Sequence, residues 1–180
     1  MKARVKFILL LASISIFSCK NEKSVDDLKV ETPQVVESKV KVTIDMVVKT
    51  DDTFQLFYTE DGTLNFNDKF SVRTPVKGSE NSQKVVFELP EDVKFTFMRI
   101  DMGENNKQNE IKINNFLVNY FDKKWEAKGN SFFQFFGPNE QMTLNFDLST
   151  LTPVVKEGVV YDPILYPMEP VGVELKKLLK

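Results

Sequence analysis

A run of alternating apolar and polar residues sets the fold class of this chain. Val40, Val42, Ile44, Met46 and Val48 occupy every second position from Lys39 onward, with Lys, Thr, Asp and Val between them. Successive side chains of an extended strand point to opposite faces, so this spacing buries one face and wets the other; a helix would scatter the same residues around its axis. Similar segments recur about every ten residues: Phe54–Tyr58, Phe70–Val76, Lys84–Leu89, Lys94–Asp101, Ile111–Phe121, Trp125–Lys128 and Met142–Leu148, each bounded by Gly, Pro, Asn or Asp. About eight or nine short strands with no long helix between them predict an all-β chain, an antiparallel β-sandwich of jelly-roll or immunoglobulin-like topology.

Two segments depart from the alternation. Asn130 is placed to N-cap a short helix carrying Phe132, Phe133, Phe135 and Phe136, with Gly137 as its left-handed C-terminal residue and Pro138 stopping it. Leu175, Leu178 and Leu179 stand at helical spacing within Val173–Lys180. The proline-punctuated stretch Tyr161–Pro170 reads as an edge strand and wrap.

The chain ahead of Lys39 has another character. Lys2, Arg4 and Lys6 precede an eleven-residue apolar run, Phe7–Phe17. A spanning helix needs about 20 apolar residues, so the run predicts a signal peptide over residues 1–18 rather than a membrane anchor. Cys19, the only cysteine, follows directly. Residues Ile16, Phe17, Ser18 and Cys19 resemble the lipobox of bacterial lipoproteins. That resemblance implies cleavage before Cys19, a diacylglyceryl group on its sulfur and a third acyl chain on the new amino terminus. Two or three acyl chains hold a protein on a bilayer without a hydrophobic segment in its folded part. The expected partner is therefore a membrane, and the expected location is the bacterial cell envelope, on the periplasmic or surface side of the outer membrane. Residues 19–38, rich in Lys, Glu, Asp, Ser and Pro without a period that could bury a face, predict a flexible tether; residues 39–180 form the sandwich domain. The charged start of that tether, Lys20–Asp27, resembles the export tags of some surface lipoproteins.

Composition removes most chemistries. Loss of Lys2, Arg4 and Lys6 with the leader reduces 24 basic residues to 21 against 26 acidic ones, a net charge of −5. Nucleic acid rewards clustered Lys and Arg, so it is not an expected partner. Histidine is absent, which excludes Ser-His-Asp and Cys-His catalysis, histidine metal ligation and histidine proton shuttles. No Gly-rich phosphate loop or nucleophile elbow occurs, and nothing in the sequence brings two particular carboxylates together as glycoside hydrolysis requires. The expectation is a protein that is not an enzyme and carries no cofactor, calcium being the one candidate.

Arg99 and Asp101 lie two apart on a predicted strand and share a face. Asp101 also opens the polar stretch Met102–Asn109, in which Asp101, Glu104, Asn105 and Asn106 offer hard oxygen ligands for calcium and Gly103 a sharp bend. The reading preferred for the same stretch is a solvated connection whose start is fixed by an Arg99–Asp101 pair. Sugar recognition stacks pyranose rings on Trp or Tyr and hydrogen-bonds hydroxyls with Asp, Asn, Gln and Arg. The available platforms are Tyr58, Tyr120, Trp125, Tyr161 and Tyr166, with Trp125 beside the basic turn Asp122–Lys124 the foremost; the other role for Trp125 is to cover a sheet edge.

The segments Phe54–Tyr58, Val85–Pro90, Phe97–Asp101, Ile111–Asn115 and Tyr161–Pro163 resemble those of carbohydrate-binding-module-like, galactose-binding-type β-sandwiches attached to bacterial envelope proteins. The resemblance implies a jelly-roll fold and a non-catalytic binding module, with carbohydrate as ligand and Tyr58, Arg99, Asp101, Trp125 and Tyr161 as candidate contacts. The alternative is an accessory or scaffold lipoprotein that docks other envelope proteins and has no small-molecule ligand.

Overall fold

The structure is a computed structural model and describes residues 40–180. Cys19, the expected leader and the expected tether lie outside the described residues. Eleven strands follow in chain order: β1 (Lys41–Val47), β2 (Asp52–Thr59), β3 (Ser71–Val76), β4 (Gln83–Glu88), β5 (Phe97–Asp101), β6 (Ile111–Tyr120), β7 (Lys123–Lys128), β8 (Phe136–Pro138), β9 (Met142–Asn145), β10 (Thr150–Pro153) and β11 (Ile164–Pro167); a helix, α1 (Glu169–Leu178), ends the series. One sheet runs β4-β1-β6-β10-β9 with β7 also on β6, the other β3-β2-β5-β11-β8, and every pairing is antiparallel. This is an all-β sandwich.

The two sheets are five ribbons bent over one seam. Where β1 pairs with β4, β2 pairs with β3; where β1 pairs with β6, β2 pairs with β5. The same correspondence carries β6 and β10 into β5 and β11, and β10 and β9 into β11 and β8. Each ribbon therefore turns from one sheet to the other at the same side of the molecule, through residues 48–51, 77–82, 102–110, 139–141 and 154–163. The first five apolar positions of the alternation, Val40 to Val48, are all fully buried between the sheets.

Polar groups along the seam satisfy one another. The Asp52 carboxylate accepts hydrogen bonds from the backbone N–H groups of Thr53 (2.8 Å), Glu104 (2.7 Å) and Asn105 (3.1 Å) and from Gln108 Nε2 (2.9 Å). Asn109 Nδ2 donates to Thr50 Oγ1, Gly78 N–H donates to Asp51, and Gln141 joins two corners by donating to Val160 O and accepting from Asp162 N–H. Backbone groups that leave the sheet ladders at these corners are thus paired, as buried or half-buried amides must be. Opposite the seam α1 closes the open side, packing on β7 and β5. Its Val171, Leu175 and Leu178 are buried, and Gly172 passes so close to Phe97 that an added Cβ would lie 2.9 Å from the ring.

Four local expectations are corrected. Residues 129–134 form a 3-10 turn whose N-cap is Lys128 without a side-chain cap, so Asn130 is not the cap; the left-handed glycine is Gly129 (φ 51°), while Gly137 lies in β8 opposite Tyr166. The strand predicted to run to Leu148 stops at Asn145, and Phe146 and Leu148 point outward in a turn closed by Ser149 at φ 56°. β11 is an interior strand between β5 and β8, not an edge. The C-terminal helix begins at Glu169, with proline in its first turn, and Val173 faces water. Among the described residues no helix is long and apolar enough to cross a membrane. The described residues, 40–180, form one compact unit, and every pairing above is made within it.

Candidate functional site

The outer face of the second sheet carries two rows of side chains set by register. In one row Arg73 (β3), Gln55 (β2), Asp101 (β5) and Ile164 (β11) are direct neighbours; in the next, Ser71, Phe57 and Arg99 are. The alternation that sends Leu56, Met98 and Ile100 into the core sends these residues outward. Gln55, Phe57, Arg73, Arg99 and Asp101 from these rows, together with Thr53, Asp68, Gly103, Glu104, Tyr161 and Asp162, line a cleft of about 250 Å³ toward the seam side of the sheet.

The centre of the cleft is a fixed ion pair. Arg99 Nε and Nη2 donate to Asp101 Oδ1 (2.8 Å) and Oδ2 (2.9 Å), the two-point geometry in which a guanidinium meets a carboxylate most favourably. Both side chains are largely covered, at 18 % and 16 % exposure. The Phe57 ring lies 4.1 Å from the guanidinium carbon and Phe66 lies 5.5 Å from it, so aromatic faces hold the cation while its edge holds the carboxylate. Burial pushes the Asp101 carboxyl above its ordinary range; Arg99 opposes that rise and the charge of Asp162 adds to it. Around the pair, Gln55 Nε2 donates to Ser71 Oγ (2.8 Å) and Arg73 pairs with Glu104.

Tyr161 supplies an unusual group. Its hydroxyl is buried and has no hydrogen-bond partner. Burial, with the charge of Asp52 adding to it, raises its ionisation to about 12 from an ordinary 10. Because the folded value lies above the unfolded one, the neutral hydroxyl favours the folded state fully below pH 10, and that contribution disappears as pH rises through 12. An ultraviolet titration of the four tyrosines is expected to show a component ionising near pH 12 that Tyr161→Phe removes. The variant should also flatten the fall in stability between pH 10 and 12; an unchanged late component would refute the assignment.

Of the five sequence-predicted ligand contacts, Arg99, Asp101 and Tyr161 come together here; Tyr58 and Trp125 do not. Tyr58 is a core residue, 6 % exposed, with its ring edge-on to Phe70 at 5.8 Å. Trp125 is also 6 % exposed, set against Phe116 at 5.1 Å and Phe135 at 4.9 Å. Neither ring is open to stack a sugar, because each falls on the inward side of its strand. Tyr166 is half exposed at the far end of β11.

Of the four candidate calcium ligands, Asp101, Glu104 and Asn105 are each turned to another group, and Asn106 is exposed. Asp101 faces Arg99, Glu104 faces Arg73, and Asn105 donates to Asp51 O while accepting from Lys107 N–H. Among the described residues no three acidic or sulfur side chains come together as a cation site would need. Gly103 does make the predicted bend, at φ +110°.

Sequence reasoning missed Gln55, Phe57, Phe66, Asp68, Arg73 and Asp162. A signal existed for two of them. Gln55 and Phe57 are the outward positions of a strand already recognised, but only the register with β5 reveals that they flank Asp101 and Arg99. A larger, shallower depression of about 560 Å³ follows the seam past Asp51, Asp52, Lys77 and Asn105, whose polar groups are engaged in holding the corners. No protein-family model, curated protein or solved structure matches this chain.

Proposed function

We propose that this chain is an envelope-anchored lipoprotein whose sandwich is a non-catalytic binding module, and that the cleft over Arg99 and Asp101 takes a carbohydrate or similarly polyhydroxylated ligand. The observation that carries this reading is the make-up of the cleft. Donors (Arg73, Arg99, Gln55) and acceptors (Asp68, Asp101, Asp162) line one small concavity, beside a buried tyrosyl hydroxyl without a partner. Sugar hydroxyls donate and accept at once, and a ligand hydroxyl reaching Tyr161 would complete its pairing. Phe66, half-buried, adds aromatic surface beside these polar groups, while the buried Phe57 ring backs the Arg99 guanidinium. Asp101 has both oxygens held by Arg99, which supports a role in orientation rather than proton transfer. The anchor part of the reading rests on the resemblance of residues 16–19 to a lipobox.

A glycan array probed with the purified protein, followed by calorimetric titration of any hit, tests the binding reading. Asp101→Asn and Arg73→Ala are each expected to weaken such a hit about tenfold, the loss that follows from one hydrogen bond to a charged group. Undiminished affinity in both variants would remove the cleft from consideration. Silence on the array together with co-purification of one fixed envelope protein would favour the accessory-lipoprotein alternative.

A further inference from the structure

We propose that the end of the sandwich opposite the seam is a membrane-docking surface that settles on anionic phospholipid headgroups, with Phe121 entering the interface and Lys123, Lys124 and Lys177 meeting the phosphates. Three independent features converge there. The first is where the chain enters the fold. Lys41 pairs with Asn119, so Val40 lies level with Tyr120, at the tip of the β6–β7 hairpin. Everything before Val40, the expected lipid-bearing cysteine included, joins the domain at this end; in this respect the inference rests on the anchor reading above.

The second is Phe121. It is the turn residue of a tight hairpin and sits at φ 54°, a conformation in which a bulky side chain is strained and Gly or Asn is preferred. It is also half exposed, at 51 %, edge-on to Tyr120 at 4.9 Å. A strained, solvent-facing aromatic contributes little to folding, and such outliers persist where a surface needs them. Aromatic rings favour the headgroup level of a bilayer.

The third is charge. In a chain with a net charge of −2, Lys123 and Lys124 follow Asp122 at the tip, and with Lys177 they border a groove between β7 and the end of α1 that Glu126 and Glu174 also line; Lys176 adds a further positive charge to the same helix turn. Lys177 is paired with Glu174, but neither Lys123 nor Lys124 has a carboxylate partner among the described residues. Basic side chains beside an exposed aromatic are what an anionic leaflet attracts. The carbohydrate cleft opens toward the seam, at the other end of the ribbons, and stays accessible when this end is down.

Cys19 is the only cysteine, so the chain from Cys19 onward can be coupled to maleimide-bearing lipid, which reproduces the tether chemically. Hydrogen exchange of residues 119–125 is then compared on vesicles of phosphatidylcholine alone and of phosphatidylcholine with phosphatidylglycerol. Protection is expected only on the mixed vesicles, falling about fivefold for each of Lys123→Glu and Lys124→Glu and disappearing on raising the salt. Phe121→Asn should lose the protection while leaving the melting temperature equal or higher, since it relieves the turn. Equal protection on both vesicles, or protection that survives these variants, overturns the proposal. Because the coupling is chemical, an unmodified Cys19 in native material would refute the anchor reading and leave this result standing.

Discussion

Phe116→Ala is expected to destabilise the sandwich by about 3–5 kcal/mol and to lower the melting temperature by on the order of 10 °C. Phe116 is fully buried in the middle of β6, between Ile44 of β1 and Ala127 of β7. Its ring touches three others: Trp125 at 5.1 Å, Phe132 at 5.4 Å and Phe136 at 5.3 Å. Phe132 and Phe136 in turn stack at 4.9 Å and 24°. These rings come from β6, β7, the 3-10 turn and β8, and so tie both sheets to the segment between them. Truncation at the centre of such a cluster leaves a cavity that no single neighbour can fill, because the surrounding rings are rigid and fixed by separate elements. Phe121→Ala, on the exposed hairpin tip, is the matched control and should change stability by no more than about 0.5 kcal/mol. Urea melts of the two variants decide the matter; a cost for Phe116→Ala below about 1 kcal/mol would mean the aromatic cluster does not hold the sheets together.

The contrast between these two phenylalanines shows what the sequence conveys. Alternation around Val42, Ile44 and Met46 is a property of the chain itself, and the strand it predicts is β1. The ten-residue strand β6 and the hairpin into Trp125 were legible for the same reason. β10 and β11 were not recognised as interior strands, because at four residues each they are too short to show a period and contain or adjoin proline. The Phe-rich segment 132–136 carried a helical spacing that the structure resolves as a 3-10 turn followed by a strand, since burying Phe132, Phe133 and Phe136 against β6 outweighs local helix preference. Half of the candidate site was visible as Arg99 and Asp101, two apart on one strand. The other half depends on cross-strand register, which places Gln55 and Phe57 beside them. Register is set by the burial of whole strands, not by any local signal near the site.

The seam offers the second large effect, and it is a coupled one. Gly103 has φ +110°, and a Cβ built there would stand 2.2 Å from Asp52 Oδ2. Gly103→Ala is therefore expected to cost about 3 kcal/mol or more, from backbone strain and from displacement of the carboxylate that secures the corner. Asp52→Ala should cost about 2–3 kcal/mol, because the N–H groups of Glu104 and Asn105 and the Gln108 amide lose their common acceptor. The two losses should not add. Once Asp52 is truncated the steric conflict with the added methyl is gone, and once that methyl has displaced the carboxylate little remains for Asp52→Ala to remove; the double variant is expected to be about 1–2 kcal/mol more stable than the sum of the singles implies. Asp52→Asn should fall between: Oδ1 can still accept from the three backbone N–H groups, whereas an amide nitrogen in place of Oδ2 opposes the Gln108 donor. Denaturant unfolding of the four-member cycle measures the coupling. Strict additivity would show that Gly103 is required for its dihedral angle alone and that the corner does not depend on contact with Asp52.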